Sequence, residues 1–515
     1  GHEMVRRGNP SLIQGETIFE FINKIQKVPY RLNPFIVDVA LTLEEKGIQV
    51  GKFIPICEMP LPPKPADIAE NKESRFTYRR KAAEVNNINS QAFRRSCRTR
   101  MTMEAVKRFK DRERFYLPWS CDYRGRVYPI PAFLTPQDTD FGKSLLQFAE
   151  GAFVFPEDEE WVAFQVATTW GLDKATMAER QEWVSHNHAL ITRVATDPIG
   201  NIGDWEGADE PWLFLSACEE FYACFIDCSR HHTRLPIAVD ATCSGLQILA
   251  GLARDRSTAS MVNVLPGSEP KDAYKAIAAA SVDQIPERLR QYWDRKKTKR
   301  SVMTICYNAK PFSNRQYIRD AFTEIGVDVT KEELTEIVVA VRDAMHKVFP
   351  GPMAVMRWIE GEVARAIKRG DRYLEWTTPS GFIVHQRLNK LEYERLDLKL
   401  LGRCQVKVGR TGDVVDLNHH KNATAPNLVH SLDASLLHLS ALRFNAPLAL
   451  IHDSILCRAS DMDTLSSIVR ETYMHLFAKH EYLKEFATFI GAETEPPMIG
   501  DLEPELVTKS TYFFC

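Results

Sequence analysis

The sequence lacks several features that would assign it to a familiar class. No run approaches the roughly 20 apolar residues that a membrane-spanning helix needs. Its 11 cysteines include no CxxC pair and follow no signal peptide, so a disulfide scaffold or a secreted protein is not indicated. The commonest phosphate-binding loop, GxxxxGK[ST], is absent, and we find neither an internal repeat nor a low-complexity tract. These absences predict a globular protein with reduced thiols.

A large net charge is also missing, since 66 Lys and Arg stand against 68 Asp and Glu, but the charges are unevenly distributed. Residues 75–114 hold 13 Lys or Arg against 4 Asp or Glu, whereas PEDEEW (156–161) and DWEGADE (204–210) are acidic. A local excess of this size is typical of polyanion binding, although a pair of solvated helices would show the same pattern. At 515 residues the chain exceeds the usual size of a single core, and we expect several domains or one multi-lobed assembly.

Hydrophobic spacing divides the chain into helical and strand-rich regions. Helical spacing covers residues 1–57, with Gly47 as a C-cap, and returns at 72–114, 158–232 and 270–370. Four prolines in EMPLPPKP (58–65) predict an extended connector. Aromatic and short-strand sequence fills 115–151, and strand alternation fills 374–417. The last segments of that stretch, QVKV, GRTG and DVVDL, predict a hairpin with a glycine-containing turn.

Two apolar strands lead into aspartates. LPIAVD (235–240) ends at Asp240, and APLALI (446–451) runs into Asp453. A carboxylate at the end of a buried strand is costly unless a positive charge meets it, and a metal ion is the usual solution. Oxygen ligands select hard cations such as Mg²⁺. Each aspartate alone is well explained as a cap or turn residue, but the pair suggests a shared site for two ions about 3.5–4 Å apart, as in-line phosphoryl displacement uses.

A strongly basic segment, RKKTKRSVMTICYN (295–308), runs directly into residues that look buried. Such a tract is usually a solvated helix face. Its residues Arg295, Lys299, Met303 and Tyr307 are spaced by four, so on a helix they form one stripe. The stripe offers two cations, an apolar platform and an aromatic ring. This order predicts a nucleotide site, with phosphates at the cations and the sugar and base near the ring.

Five segments resemble motifs of the single-subunit DNA-dependent RNA polymerases of T-odd phages, mitochondria and chloroplasts. They are DATCSGLQ (240–247, motif A), RKKTKRSVMTICY (295–307, motif B), IHDS (451–454, motif C), DYRGRVY (122–128, the DxxGR element) and APNLVHSLDAS (425–435, the ribose-contacting histidine segment). The motifs occur in the family's order, and the resemblance covers essentially the whole chain. It implies a mainly helical α+β right-hand polymerase fold with thumb, palm and fingers and a small antiparallel palm sheet. The implied reaction is DNA-templated, two-metal nucleotidyl transfer from NTPs to an RNA 3′ end with release of pyrophosphate, directed by a promoter in the intact protein.

The resemblance also implies which residues act. Two magnesium ions would be held by Asp240, Asp453 and the Ala241 carbonyl. Lys299 would be the acid for the leaving pyrophosphate, and Tyr307 and His430 would sense the ribose 2′-hydroxyl. The full set implied to bind the nucleotide is Arg295, Lys299, Arg300, Met303, Tyr307, Tyr274, His430 and Lys174. The set implied to lie along template, hybrid or substrate is Arg124, Arg126, Lys143, Ser244 and Gly245.

A promoter-reading hairpin is implied at residues 388–419, since the family's hairpin enters the major groove. Period-two alternation puts Arg395, Asp397 and Lys399 on one face of its first strand and Arg403, Gln405 and Lys407 on one face of the second. Alignment to the family selects four of these as base readers, namely Arg395, Asp397, Gln405 and Lys407.

Two positions depart from the family pattern. Asn308 replaces the usual glycine after the motif B tyrosine, and Ile248 stands where a histidine commonly follows motif A. Asparagine still suits a left-handed helix end, so the local geometry is expected to survive. The terminal YFFC reads as a packed aromatic tail, although the family's C-terminus folds back toward the active site.

The resemblance implies a domain order. It runs from a remnant of an N-terminal domain with its connector (1–65) through the thumb (66–114), the first part of the palm (115–255, with a helical insertion at about 152–232) and the fingers (256–430) to the second part of the palm and the tail (431–515). The family's large N-terminal domain, which recognises upstream promoter DNA, has no counterpart in the roughly 60 residues ahead of the thumb. The chain is therefore expected to lack most of that domain.

Three other interpretations were weighed. Family A DNA polymerases share the arrangement of catalytic acids in the palm. CSG after Asp240, HDS at 452–454 and His430 nevertheless favour an RNA polymerase. An inactive nucleic-acid-binding module is disfavoured because both acids and the cations of motif B are intact. A zinc site at Cys218, Cys224, Cys228, His231 and His232 lacks a CxxC knuckle, and the spacing favours packed helical cysteines. Expected partners are promoter duplex DNA, the template strand, nascent RNA and NTPs, with no membrane, for a monomer in the cytoplasm of an infected bacterial host.

Overall fold

The computed structural model describes residues 4–6, 8–9, 11–398 and 404–515. In chain order its helices are α1 (Glu16–Gln26), α2 (Pro34–Lys46), α3 (Lys72–Phe109), α4 (Asp140–Ser144), α5 (Glu159–Trp170), α6 (Met177–His186), α7 (His188–Thr196), α8 (Pro211–Phe221), α9 (Ser244–Ala253), α10 (Arg256–Met261), α11 (Ala273–Ser281), α12 (Arg295–Ile305), α13 (Pro311–Thr323), α14 (Lys331–Val348), α15 (Pro350–Arg369), α16 (Leu417–Arg443), α17 (Met462–Ala478) and α18 (Tyr482–Ile490). Within the described ranges, none of them combines the length and apolar character needed to cross a membrane.

Strands are fewer and mostly short. They are β1 (Val5–Arg6), β2 (Tyr30–Leu32), β3 (Trp119–Asp122), β4 (Val127–Pro129), β5 (Leu146–Phe148), β6 (Ala152–Phe153), β7 (His232–Thr233), β8 (Ile237–Asp240), β9 (Leu374–Thr377), β10 (Ile383–Gln386), β11 (Asn389–Leu398), β12 (Cys404–Val415), β13 (Ala449–Ile451) and β14 (Ser454–Cys457). They form two- and three-stranded sheets, in which every pairing is antiparallel except β1 with β3. The predicted fold class is confirmed: a mainly helical α+β chain with small antiparallel sheets.

The N-terminal helices belong to the main core. α1 buries Ile18, Phe21, Ile22 and Ile25 on one side. α2 starts at Asn33, whose side chain accepts hydrogen bonds from two backbone amides of the first turn. It ends at Gly47 with φ 65°, the left-handed conformation that glycine adopts without strain, so the predicted C-cap is confirmed.

One long helix carries the basic region. α3 has 38 residues, and its buried side chains, Ser96, Thr99, Thr102, Met103 and Val106, all lie in its C-terminal part. The N-terminal two thirds therefore extend along solvent. The Pro-rich connector runs alongside this helix. The Met59 amide donates to Asn89 Oδ1 at 2.8 Å, and Asn89 Nδ2 donates to the Met59 carbonyl at 2.9 Å.

The sheet that positions the site has the strand order β13-β14-β8. Ile455 of β14 pairs with Val239 of β8 and Leu450 of β13 pairs with Ile455, and all three side chains are buried. α9 follows β8 and is buried along its whole length. The apolar strands predicted at 235–240 and 446–451 thus become neighbours of one central strand.

The region between α10 and α16 is helical apart from two hairpins. α12 packs against α11 and α13, and α15 packs against both α9 and α16. α16 is a 27-residue helix with Pro426 inside it, and most of its residues from Thr424 to Ala441 are buried. This long buried helix joins the hairpins to the sheet of the site.

The predicted hairpin forms, with Arg395 and Asp397 in its first strand and Gln405 and Lys407 in its second. β11 pairs with β12 from Asn389↔Val415 to Leu398↔Cys404, so GRTG (409–412) lies inside β12. Its glycines leave space for the opposite strand, because a Cβ at Gly409 would lie 3.2 Å from the Tyr393 ring and one at Gly412 would overlap Glu392. Residues 399–403, between the two strands in the sequence, lie outside the described residues.

Candidate active site

The structure brings Asp240 and Asp453 to the same end of the three-stranded sheet. β8 ends at Asp240, which pairs in register with Ser454 at the start of β14. Asp453 precedes Ser454 in the tight turn from β13, so the two carboxylates are neighbours. His452 in that turn has φ 54°, a left-handed conformation that costs a non-glycine residue energy. The strained residue His452 therefore immediately precedes Asp453.

The surroundings of Asp240 favour a cation. Burial raises the pKa of this carboxyl, a hydrogen bond from Ser454 lowers it, and the charge of Asp453 raises it further. Two adjacent carboxylates and the backbone oxygens beside them are hard donors that suit Mg²⁺. Across the described part of the chain, no group of three or more His, Cys, Asp or Glu side chains is arranged to hold a metal ion. An ion here would therefore need backbone, water or substrate oxygens as well.

The last residues of the chain lie against this pair of acids. The Cys515 amide donates to the Asp240 carbonyl at 3.0 Å, and Phe514 forms an antiparallel bridge with Ala241. Thr242 Oγ1 donates to the Tyr512 carbonyl at 2.7 Å. The tail therefore acts as a short strand that fixes the backbone of motif A, a packing that the composition of YFFC alone did not specify.

The basic helix presents the predicted stripe. α12 buries Lys297, Thr298, Ser301, Val302 and Ile305 on one side. On the other side Lys299 is exposed, Met303 is 40% exposed and Arg295 is half-buried. Tyr307 follows in the turn after the helix. Cations, platform and ring are therefore accessible in the order that the spacing predicted.

Two predicted cations make other contacts. The Arg300 guanidinium stacks on Tyr317 of α13 at 4.2 Å from the ring centroid and lies 3.6 Å from Asp320. Lys174 pairs with its neighbour Asp173 at 3.1 Å. None of these contacts involves a residue of the stripe, and the predicted roles of Arg300 and Lys174 stay predictions.

Tyr307 and His430 form one wall of the site. Their ring centroids are 4.6 Å apart, and a Cβ at Gly245 would lie 3.3 Å from the Tyr307 hydroxyl, so a larger residue would press on the ring. Burial raises the pKa of Tyr307, which keeps its hydroxyl protonated. Burial and the nearby arginines lower the pKa of His430 to about 2. Arg124 Nη1 lies 2.6 Å from His430 Nδ1, and since arginine only donates, the neutral imidazole carries its proton on Nε2.

Ser244 lies beside the same ring. Its side chain hydrogen-bonds to Tyr307, which lowers the pKa of that phenol and partly opposes the effect of burial. Ser244 and Gly245 are the first residues of α9 and are both buried. Motif A therefore contacts the end of motif B directly.

The arginines of the DxxGR element are fixed by carboxylates that the sequence analysis missed. Arg126 Nε donates to Asp433 Oδ1 at 3.2 Å, and Arg124 Nε donates to Asp122 Oδ2 at 2.9 Å. Burial raises the pKa of Asp433 to about 7, while the ion pair with Arg126 opposes that rise. Asp433 lies three residues after His430 on α16, a spacing that puts both on one helix side and could have identified it.

Lys143 and Tyr274 approach the acids from other elements. Lys143 Nζ lies 3.0 Å from Glu210 Oε1, and with Asp240 these two residues line a cavity of about 230 Å³. The Tyr274 hydroxyl donates to Cys243 Sγ at 3.7 Å, which connects α11 to motif A. Both residues therefore lie close to the site, and Glu210 is a partner that the sequence analysis missed.

The four predicted base readers share one face of the hairpin. Arg395 is paired with Lys407 and Asp397 with Gln405, and residues directly opposite each other point to the same side. All four are exposed, and Lys407 Nζ lies 4.0 Å from the Tyr393 ring centroid on that face. Lys399 and Arg403, which were assigned to the same faces, lie outside the described residues.

The zinc alternative finds no geometric support. Cys218 is buried in α8 and Cys224 is buried in the helical turn after it, whereas Cys228 is exposed. These residues belong to the described ranges, where no metal-binding group of three was found. Cys218 and Cys224 are packed side chains, as their helical spacing indicated.

Both departures from the family pattern have a structural explanation. Asn308 has φ 61°, as expected for a left-handed helix end, and its Nδ2 donates to the Asn422 carbonyl of α16 at 3.2 Å. Ile248 lies in α9 with 2% of its surface exposed, so it packs in the core.

Comparison with known proteins identifies the family. A profile of the DNA-dependent RNA polymerases matches residues 156–499, and the chain belongs to this family. It is 27% identical to the DNA-directed RNA polymerase of Enterobacteria phage K11 over 97% of this chain and 63% of that protein. It is 28% identical to the chloroplastic DNA-directed RNA polymerase 3 of Nicotiana sylvestris over 97% of this chain and 54% of that protein.

A phage T3 relative and a solved structure complete the comparison. The DNA-directed RNA polymerase of Enterobacteria phage T3 is 27% identical over 97% of this chain and 64% of that protein. The polymerase domain of Pol1 from M. smegmatis, solved with a DNA primer-template and dNTP, aligns at a TM-score of 0.42 and 11% identity over 90% of this chain and 67% of that chain. The chain therefore spans 54% to 64% of the length of the three curated relatives named here.

Proposed function

We propose that this chain catalyses DNA-templated RNA synthesis, in which an RNA 3′-hydroxyl attacks the α-phosphate of an NTP and pyrophosphate leaves. The observation that carries the proposal is the meeting of Asp240 and Asp453 at one sheet end, in a chain that belongs to the DNA-dependent RNA polymerase family. The charge of Asp453 raises the pKa of Asp240, and bound cations would relieve this mutual repulsion.

Asp240, Asp453 and the Ala241 carbonyl would hold two magnesium ions. Such ions, when bound, supply charge neutralisation at the attacking and leaving oxygens of an in-line displacement. The contribution of the chain is to hold Asp240 at the end of β8 and Asp453 in the turn just before β14, so that the register of these two strands sets the separation of the carboxylates. The Cys515 amide bond to the Asp240 carbonyl restrains the same backbone.

The exposed stripe of α12 is proposed to bind the incoming nucleotide. Arg295 and Lys299 would contact the triphosphate, and Lys299, an exposed ammonium, would donate a proton to the leaving pyrophosphate. Met303 and Tyr307 would lie under the sugar and base. The Tyr307 hydroxyl and the His430 Nε2 proton would sense the ribose 2′-hydroxyl, since both remain protonated in this environment.

The nucleic-acid partners are proposed to be a DNA template, the nascent RNA and, in the intact protein, a promoter duplex. Arg124 and Arg126 are held rigidly by Asp122 and Asp433, which suits contacts to a sugar–phosphate backbone. The exposed hairpin face with Arg395, Asp397, Gln405 and Lys407 offers donors and acceptors of the kind that read base edges.

The test is extension of an RNA primer annealed to a DNA template, with ribo- and deoxynucleotides compared in parallel. We expect ribonucleotide-dependent extension that requires Mg²⁺ and is lost in Asp240→Asn and in Asp453→Asn, while both variants still bind the hybrid. Each substitution removes a carboxylate charge but little volume. Substantial turnover by either variant would refute the assignment of the acids, and a preference for deoxynucleotides would indicate a DNA polymerase instead.

A further inference from the structure

The first turn of α12 presents an electrostatic problem. Arg295, Lys296 and Lys297 occupy its first three positions, and the turn contains no acidic residue. The N-terminus of a helix carries a partial positive charge, so cations there are unfavourable unless carboxylates from elsewhere meet them. Two aspartates outside the helix pair with these cations: Asp294 with Lys297 and Asp272 with Arg295.

Asp294 serves the cation on the buried side. It is the N-cap of α12, and its Oδ1 accepts a hydrogen bond from the Lys297 backbone amide at 3.2 Å. Its Oδ2 accepts from Lys297 Nζ at 3.1 Å, and Lys297 is only 5% exposed. This pair stabilises the helix on the side that faces away from the stripe.

Asp272 serves the cation on the accessible side. Its Oδ1 caps α11 by accepting from the backbone amides of Tyr274 at 2.9 Å and Lys275 at 3.1 Å. Its Oδ2 accepts from Arg295 Nε, and the Arg295 guanidinium lies over the Tyr274 ring at 5.5 Å from the centroid. Arg295 Nη2 is buried and, among the described residues, has no hydrogen-bond partner. One edge of the guanidinium is thus fixed while a terminal nitrogen still lacks an acceptor.

We infer that Asp272 is a positioning residue for nucleotide binding, acting through Arg295; the inference rests on the proposed function of α12. By engaging Nε, the carboxylate fixes the rotation of the guanidinium and leaves its terminal nitrogens to donate to an anion. Because Asp272 also caps α11, the guanidinium of Arg295 is held in place relative to that helix. An arginine fixed in advance loses less conformational freedom when a triphosphate binds, so the affinity is higher than for a mobile cation.

Substitution by asparagine isolates this role. Asp272→Asn keeps a good N-cap for α11 but replaces a charged acceptor near Arg295, and Asp294→Asn makes the same change at the other cation of the same helix turn. We expect Asp272→Asn to raise both the Kd for NTP, measured by calorimetry, and the KM in primer extension about tenfold, with kcat changed little. Asp294→Asn is expected to leave Kd and KM unchanged and to lower the melting temperature.

A double variant tests whether Asp272 acts through Arg295. In an Arg295→Ala background, the additional Asp272→Asn change is expected to add no further loss of affinity, because the group it positions is absent. An unchanged Kd in Asp272→Asn, or an equal loss in the Arg295→Ala background, overturns the inference. If the parent chain binds NTP but extends no primer, the proposed function fails while the Kd comparison still decides the role of Asp272. A parent chain that binds no NTP overturns both.

Discussion

Removal of the Tyr307 hydroxyl alone should change the preference between ribo- and deoxynucleotides. It lies against Gly245 and next to the His430 ring, and it stays protonated because burial raises the pKa of Tyr307. A site built to hydrogen-bond a sugar hydroxyl discriminates by leaving its own polar group unpaired when that hydroxyl is missing. Tyr307→Phe is therefore expected to keep most of the extension rate while lowering the ratio of ribo- to deoxynucleotide incorporation.

The measurement is that ratio under competition on one primer-template. Tyr317→Phe is the matched control, because Tyr317 lies under Arg300 away from the stripe and loses the same single oxygen. A ratio in Tyr307→Phe that equals the ratio of the parent would show that the sugar is sensed elsewhere, with His430 Nε2 as the next group to test.

Asn308 gives a second prediction at the scale of one residue. Its φ of 61° suits glycine and asparagine but strains alanine, and its side chain also donates to the Asn422 carbonyl. We expect Asn308→Ala to lower the free energy of unfolding by about 1 kcal/mol or more, and Asn308→Gly to lower it by less. Denaturant unfolding of the three proteins checks this order. Equal stability of the alanine and glycine variants would contradict it.

Single residues also show what the sequence could predict about the site. The stripe from Arg295 to Tyr307 follows from helical spacing, and Asp240 and Asp453 follow from their positions at strand ends. Their partners come from remote segments: Asp433 reaches Arg126 across 307 residues, and Asp272 reaches Arg295 across 23. Periodicity describes only one element at a time, so it could not indicate which carboxylate neutralises which cation.

At the scale of one element, burial keeps three of the four histidines of α16 neutral. Burial lowers the pKa of His420 and of His438 to about 4 and that of His430 to about 2. His438 is 1% exposed; its Nε2 donates to the Gly125 carbonyl at 2.8 Å, and its Nδ1 accepts from Ser380 Oγ at 3.0 Å. Through Gly125, this helix supports the turn that holds Arg124 and Arg126.

Acid should therefore destabilise this helix. Below its ordinary pKa of about 6.5, each histidine binds a proton in the unfolded chain but not in the native one, so the free energy of unfolding falls as the pH drops from about 6.5 toward 4. Between pH 7 and pH 5 we expect His438 alone to contribute a loss of about 2 kcal/mol. Denaturant titrations at both pH values should show a correspondingly smaller loss in His438→Gln. Equal losses in the variant and the parent would mean that His438 does not titrate in this way.

The hairpin shows where an element-level prediction succeeds and fails. Alternation alone placed Arg395 and Asp397 on one face, because strand period is a local property. The glycines of GRTG are typical of a turn, but in a long paired strand a glycine equally marks close contact with the opposite side chain, here Tyr393 at Gly409. Which of the two applies depends on the partner strand, which local sequence does not specify.

For the molecule as a whole, the relevant fact is the share of the relatives that the chain covers. It contains the acids, the stripe, the hairpin and the long α3 helix, yet it spans only 63% of the phage K11 relative and 54% of the Nicotiana relative. The groups proposed to act in nucleotidyl transfer all lie between Asp122 and Asp453. Opening a closed duplex is expected to need additional contacts with the DNA, since phosphate contacts supply much of the affinity.

These considerations predict that the 515-residue chain elongates RNA but initiates poorly on closed DNA. Three templates of one sequence separate the two steps: a preassembled RNA:DNA hybrid scaffold, a duplex with a pre-melted bubble, and the fully paired duplex. We expect high activity on the scaffold, intermediate activity on the bubble and little on the closed duplex, with the two duplex activities falling steeply as salt is raised because few phosphate contacts remain to hold the DNA. Supplying the part of a relative that this chain does not match as a separate chain should partly restore activity on the closed duplex. Equal activity on all three templates would show that this chain opens DNA with its own residues, and the exposed face of α3 and the hairpin would then be the surfaces to test for strand separation.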